Sequence, residues 1–138
     1  MAATYNNETY LSAQEDRTVA IVAPQWLQNG LAVVIKSIPN LQLVACTGSI
    51  NTLLLIDLER SPDLVVLTLD IPETKDNHPI RQVKLVYPQA RCLALIQEVE
   101  QSASARAAGA DDMLLQGMSA EQFCLAVRRL VFRDPLSN

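Results

Sequence analysis

Glycine is scarce. Four residues, Gly30, Gly48, Gly109 and Gly117, serve a chain of 138. None of them forms G-x-x-x-x-G-K-[ST] or G-x-G-x-x-G behind a first strand, so the sequence offers no backbone cradle for nucleotide phosphates. Histidine is scarcer still: His78 stands alone, with Asp76 nearby and no cysteine close in sequence. That setting reads as a solvated loop residue rather than a catalytic base or a metal ligand. Basic residues are also few, 11 against 15 acidic for a net charge of −4. Apart from Arg128-Arg129 they are scattered, which argues against nucleic-acid binding by this chain alone. No apolar run approaches the roughly 20 residues that cross a bilayer, and Met1 to Asp16 lacks a basic segment followed by an apolar one. A soluble, cytoplasmic protein without a membrane partner is therefore expected. Cys46, Cys92 and Cys124 each lie in an apolar segment and never at C-x-x-C spacing, so buried, reduced thiols are expected, with no metal and no cofactor.

Hydrophobic side chains, by contrast, make up 49% of the chain, enough for one domain with one core. The most informative stretch is Pro62-Asp63-Leu64-Val65-Val66-Leu67-Thr68-Leu69-Asp70-Ile71-Pro72. Leu64 to Leu69 is nearly all apolar and lacks the alternation of a strand with one wet face, which suits a parallel strand covered on both sides. Chemistry on open α/β sheets gathers at the carboxyl ends of strands, which draws attention to Thr68, Asp70 and the loop reaching Pro79.

Residues 1–16 have no helical or strand period and read as a flexible tail rather than as a docking segment carried by Tyr5, Tyr10 and Leu11. Thr18 to Ala23 is a first strand. Leu27, Leu31, Val34, Ile35 and Ile38 then repeat on one helix face, with Trp26 packing at its start and Pro39-Asn40 closing it. Leu41 to Cys46 is a second strand, and Gly48-Ser49 caps a helix running to about Arg60. Leu53, Leu54, Leu55, Ile56 and Leu58 exceed the stripe that a sheet can bury, so that helix is either tightly covered or carries an apolar binding face. Beyond the central strand, Pro79 opens a helix with Ile80, Val83, Leu85 and Val86. Arg91 to Ile96 is a fourth strand, Ala103 to Ala108 a short helix ended by Gly109, and Met113 to Leu115 a fifth strand. Ser119 and Gln122 form a capping box for a last helix with Phe123, Val127, Leu130 and Val131 inside, and Arg128 and Arg129 outside. This alternation predicts a flavodoxin-like, doubly wound (βα)5 fold with a five-stranded parallel sheet in the order 2-1-3-4-5.

Three segments carry a family likeness: residues 62–72, Tyr87-Pro88-Gln89-Ala90-Arg91, and Gly109-Ala110-Asp111-Asp112-Met113-Leu114-Leu115-Gln116 with the Ser119-Ala120-Glu121-Gln122-Phe123 and Ala126-Val127-Arg128-Arg129 blocks that follow. In these residues the chain resembles the CheY-like receiver domains of response regulators, most of all those that precede a helix-turn-helix. The likeness covers about residues 17–133. It implies a receiver in two-component signal transduction, yet every position on which that chemistry depends has changed. Thr68 stands where the family places its phosphate-accepting aspartate. Val22 and Ala23 replace the acidic pair that helps to hold Mg²⁺. Ile96 replaces the Ser or Thr ending the fourth strand, Gln116 the lysine ending the fifth, and Met113 the aromatic switch residue.

Phosphoryl transfer from a phosphohistidine needs a carboxylate nucleophile, a divalent cation and groups that hold the product phosphate. None is expected here. Asp70 corresponds to a variable loop position and is not a substitute acceptor. The resemblance thus implies a degenerate pseudo-receiver, not an enzyme, that regulates signalling or transcription by protein contact independently of phosphorylation. Family precedent puts the docking or homodimer surface on the fourth helix, fifth strand and fifth helix, here Arg106, Met113, Gln116, Arg128 and Arg129. A second reading makes the emptied site around Val22, Ala23, Thr68, Ile96 and Gln116 a receptor for a small neutral ligand. Residues 134–138 stand where a C-terminal tail, or the linker to a DNA-binding domain, is expected.

Overall fold

The computed structural model describes residues 16–69 and 78–132. The expected tail, apart from Asp16, lies outside them, as do Asp70, the loop through 77 and the last six positions. Five parallel strands, β1 (Arg17–Val22), β2 (Leu41–Thr47), β3 (Leu64–Thr68), β4 (Arg91–Ile96) and β5 (Asp112–Leu115), form one sheet in the order β2-β1-β3-β4-β5. The helices between and after them are α1 (Gln25–Ser37), α2 (Ile50–Leu55), α3 (Pro79–Val86), α4 (Ser102–Ala108) and α5 (Ala120–Val131), with a 3-10 turn at Val99–Gln101 leading into α4. The fold is the doubly wound one that the alternation of patterns predicts.

The unbroken apolar run of β3 has its reason in the two layers that sandwich it. Val65 and Leu67 point to the side covered by α2, α3 and α4, among Leu53, Ile80, Val83 and Ala105. Leu64 and Val66 point to the other, among Leu31, Ile35, Phe123, Val127 and Leu130 of α1 and α5. Both sides of β3 are thus dry, and alternation has nothing to record. Two aspartates pin the opposite end of the sheet: Asp63 Oδ2 accepts the Thr18 backbone N–H at 2.8 Å, and Asp111 Oδ2 accepts that of Cys92 at 2.8 Å. Each aspartate stands just ahead of one strand and satisfies the first donors of its neighbour, which fixes register where the ladder begins.

Several expectations are corrected. The helix after Ser49 does not reach Arg60. It stops at Leu55, Ile56 is extended with its N–H on the Leu53 carbonyl, and the chain turns Leu58 back against the core. Pro62 disfavours helix at Ser61 just before it. Of the five apolar residues here only Leu53 is buried; Leu55 is 85% exposed. Trp26 does not pack at the start of α1 but is 75% exposed, because the inner stripe belongs to Leu27, Leu31 and Ile35, roughly 100° away around the helix. Leu85 and Val86 are exposed, and Ile80 and Val83 alone anchor α3. Of the cysteines only Cys92 is buried; Cys124 is half-buried and Cys46 exposed, since β2 is an edge strand with one row facing out. His78 is not a solvated loop residue: it is buried and caps α3.

Candidate functional site at the carboxyl ends of the strands

All five strands end on one edge of the sheet, and the order of connection reverses between β1 and β3, the switch point at which α/β sheets bind ligands. Here Val22 is in register with Leu67 and with Thr47, Thr68 with Leu95, and Ile96 with Leu115. Thr68, Val22, Ala23 and Ile96 therefore share the mouth of the sheet, with Gln116 beside them at the end of β5. Val22, Ala23 and Ile96 are buried and Thr68 is half-buried. No formal charge is present among these five side chains.

Glutamine amides do the linking at this edge. Gln28 of α1 donates through Nε2 to the Ala23 carbonyl at 2.8 Å. Gln116 donates to the Leu95 carbonyl at 3.1 Å, and its own N–H meets the Ile96 carbonyl at 2.8 Å. Gln101, itself buried, accepts the N–H groups of Gln97 at 2.6 Å and Glu98 at 3.0 Å, and donates to the Leu69 carbonyl at 3.3 Å. These amides bond strand-end backbone groups; the Leu95 carbonyl, which also accepts the Leu69 N–H at 3.0 Å, has its second lone pair engaged by Gln116. Sequence reasoning misses both Gln28 and Gln101; the one available signal for Gln101 is its spacing of three from Glu98, with which it forms a capping box.

The donor set does not suit a magnesium ion, which prefers carboxylate and water oxygens. Val22 and Ala23 offer no side-chain oxygen, Thr68 offers a neutral hydroxyl, and no group of three or more His, Cys, Asp or Glu among the described residues can hold a metal ion.

The other residues singled out in sequence do not converge on one patch. Met113 is half-buried against the layer of α2, α3 and α4. Arg106 is exposed in the last turn of α4. Arg128 and Arg129 are exposed near the C-terminal end of α5, where Arg129 pairs with Asp112 at 3.0 Å. Asp112 begins β5 and Gln116 follows its end, so the arginines lie towards the opposite edge of the sheet from Gln116.

Burial sets the titration of the remaining groups. Cys92 is pushed up to about 12 by burial, with Lys84 lowering it and Asp111 raising it. Cys46 is also raised by burial, against a smaller pull from Lys36. The His78 imidazole is held below its ordinary value, first by burial and then by Arg81.

No family model matches the sequence, and no curated protein matches it either. Solved structures do. The signal receiver domain of the response regulator NarL from Mycobacterium tuberculosis superposes with a TM-score of 0.72 at 17% identity, over 87% of this chain and 99% of that one. A LuxR family DNA-binding response regulator from Silicibacter pomeroyi gives 0.71 at 18%, over 88% and 99%. A CheY-like response regulator from Mesorhizobium loti gives 0.69 at 15%, over 84% and 99%. The flavodoxin-like sheet defines the class. Within that class the chain has the fold of the response-regulator receiver domain.

Proposed function

We propose that this receiver-fold protein acts without phosphorylation, as a protein-interaction module in signal transduction or transcription control. The observation that carries the reading is the chemistry of the strand ends. Val22, Ala23, Thr68, Ile96 and Gln116 occupy the positions where the family likeness calls for carboxylates, a hydroxyl and a lysine, and none of the five can hold a cation or bear a charge that a phosphoryl group would answer. Neutral amide bonds from Gln28, Gln101 and Gln116 instead tie the strand ends to their own backbone. A switch driven by a new phosphate needs a group that is drawn towards it. The Gln116 amide, engaged with its own sheet, supplies none. The small-ligand reading draws less support, because Val22, Ala23 and Ile96 are packed into the core rather than lining open space.

The test adds Mg²⁺ with acetyl phosphate, or with beryllofluoride, to the full chain. Neither the melting temperature nor the amide NMR spectrum should change. Clear movement of either would overturn the proposal.

A further inference from the structure

At the amino ends of the strands, away from the mouth of the sheet, two grooves flank the start of β2. One, of about 640 Å³, runs between the α1–β2 turn and the last turns of α5. Ile38, Pro39, Leu125 and Phe132 give it apolar walls, and Arg128 and Arg129 make it basic. Arg129 is paired with Asp112, whereas Arg128 has no ion pair among the described residues. Leu125 is 56% and Phe132 39% exposed, so no described residue covers these walls.

The second groove, of about 1040 Å³, lies against the segment joining α2 to β3, where Asp16, Asp57 and Glu59 stand against the single Arg60. Arg60 donates to the Asp16 carbonyl at 2.9 Å. Apolar side chains adjoin it: Leu55, the last residue of α2, is 85% and Ile56 36% exposed. Pro39 and Asn40 line the first groove and Gln42 and Leu43 the second, so Leu41 alone separates them along the chain.

One short stretch of surface thus carries an acidic rim with exposed apolar side chains and, beside it, a basic groove with apolar walls. A two-fold contact between identical chains requires this arrangement, since each copy must present both halves of the match. We propose that this end of the sheet is the interface of a homodimer, in which residues 55–59 of each copy enter the Arg128–Arg129 groove of the other. An acidic peptide from a different protein would answer the arginines but leave Leu55, Ile56 and the carboxylates beside them uncovered; a second copy answers both. Opposite charges at the rim set the register and speed encounter, while the apolar side chains lose water at the centre. The dimer is independent of the proposed loss of phosphorylation, because neither groove includes the strand-end residues.

Sedimentation velocity on the full chain tests it, at low and high salt and up to millimolar concentration. The wild-type chain should sediment at twice its monomer mass, with weaker association at high salt. Arg128→Glu/Arg129→Glu and Asp57→Lys/Glu59→Lys should each weaken association at least tenfold, on the order of 1.4 kcal/mol, with the monomer still folded and its melting temperature lowered only slightly in the first variant by loss of the exposed Arg129–Asp112 pair. Leu55→Ala should weaken it without any change of charge. An equimolar mixture of the two charge-reversed proteins should recover the dimer, since both halves of the contact are then matched again. A wild-type chain that stays monomeric overturns the proposal. So does a mixture that fails to dimerise, a dimer lost only on substitution of Arg106 or Gln116, or tight binding of an acidic peptide to a chain that does not self-associate.

Discussion

The Gln116 amide is bonded back onto its own sheet, with Nε2 3.1 Å from the Leu95 carbonyl oxygen, in the strand position level with Thr68. Gln116 is thus a neutral clasp between the end of β5 and β4 and offers no cation to the mouth of the sheet. Restoring the acceptor alone should accordingly restore nothing. Thr68→Asp is expected to take up no label from acetyl phosphate with Mg²⁺, and to lose about 1 kcal/mol, because a half-buried carboxylate gains no cationic partner there. Adding Ala23→Asp should be far worse. Ala23 is 1% exposed, and an unpaired charge buried at such a site costs about 3 kcal/mol or more. Urea unfolding and radiolabel transfer measure the two halves of this expectation.

Gln101 is the busiest side chain at the site, making three hydrogen bonds from a buried position. Gln101→Ala strands the N–H groups of Gln97 and Glu98 and the Leu69 carbonyl, and should lower the unfolding free energy by about 2 kcal/mol, within the 1–3 kcal/mol range of an orphaned buried group. Gln101→Glu separates accepting from donating. Its carboxylate can still accept from both N–H groups but faces the Leu69 carbonyl without a donor, so the loss should be smaller at low pH, where a protonated acid donates again. A denaturant midpoint measured at two pH values distinguishes the variants.

The order of elements and the sheet topology were legible because they rest on periodicity, which the backbone reads directly: the inner stripes of α1 and α5, and the unalternating run of β3. The place of Thr68, Val22 and Ala23 at the carboxyl ends of their strands was legible too, because each stands where an apolar run stops. Three things were hidden. Gln28 reaches a carbonyl set by tertiary packing, which no local pattern marks, and the Glu98–Gln101 capping box gives no sign that Gln101 also reaches the Leu69 carbonyl. The helix ending at Leu55 is cut short by the return of Leu58 to the core, a long-range preference that overrides the local one. His78 looked like a loop residue because one histidine before a proline carries no sign of burial.

The thiols should separate cleanly in a modification experiment. Cys46 is exposed and Cys92 fully buried, and the thiolate is the reactive form. With its pKa pushed up to about 12, Cys92 should be silent to a disulfide reagent at neutral pH, Cys46 should react first, and all three cysteines of the sequence should react only in denaturant. The same shift has a consequence in alkali. The folded chain retains the Cys92 proton after the unfolded chain has lost it, so stability should fall as pH rises past about 8.5, the ordinary thiol value. Cys92→Ala should flatten that limb, at the expense of a small cavity in the core.

At the acid end the controlling group is His78. Its Nδ1 accepts the Ile80 backbone N–H at 3.2 Å, so the neutral ring carries its proton on Nε2, which has no partner among the described residues. Protonation would place a second hydrogen on Nδ1, break the cap, and set a positive charge at the amino end of α3 beside Arg81, where the helix dipole also opposes it. Burial and Arg81 depress the folded pKa, so the unfolded chain takes up its proton first as the pH falls. Stability should therefore be full above about 6.5, the ordinary histidine value, and decline as the pH drops below it through the depressed folded value. His78→Asn keeps an acceptor at the cap but cannot titrate, and should remove the decline between pH 6.5 and the carboxylate range. His78→Ala should remove it too while lowering stability by about 1 kcal/mol at every pH, the usual loss of an N-cap. Thermal melts of the three proteins across this window decide the matter, and a wild-type decline that persists in His78→Asn would assign it to another group.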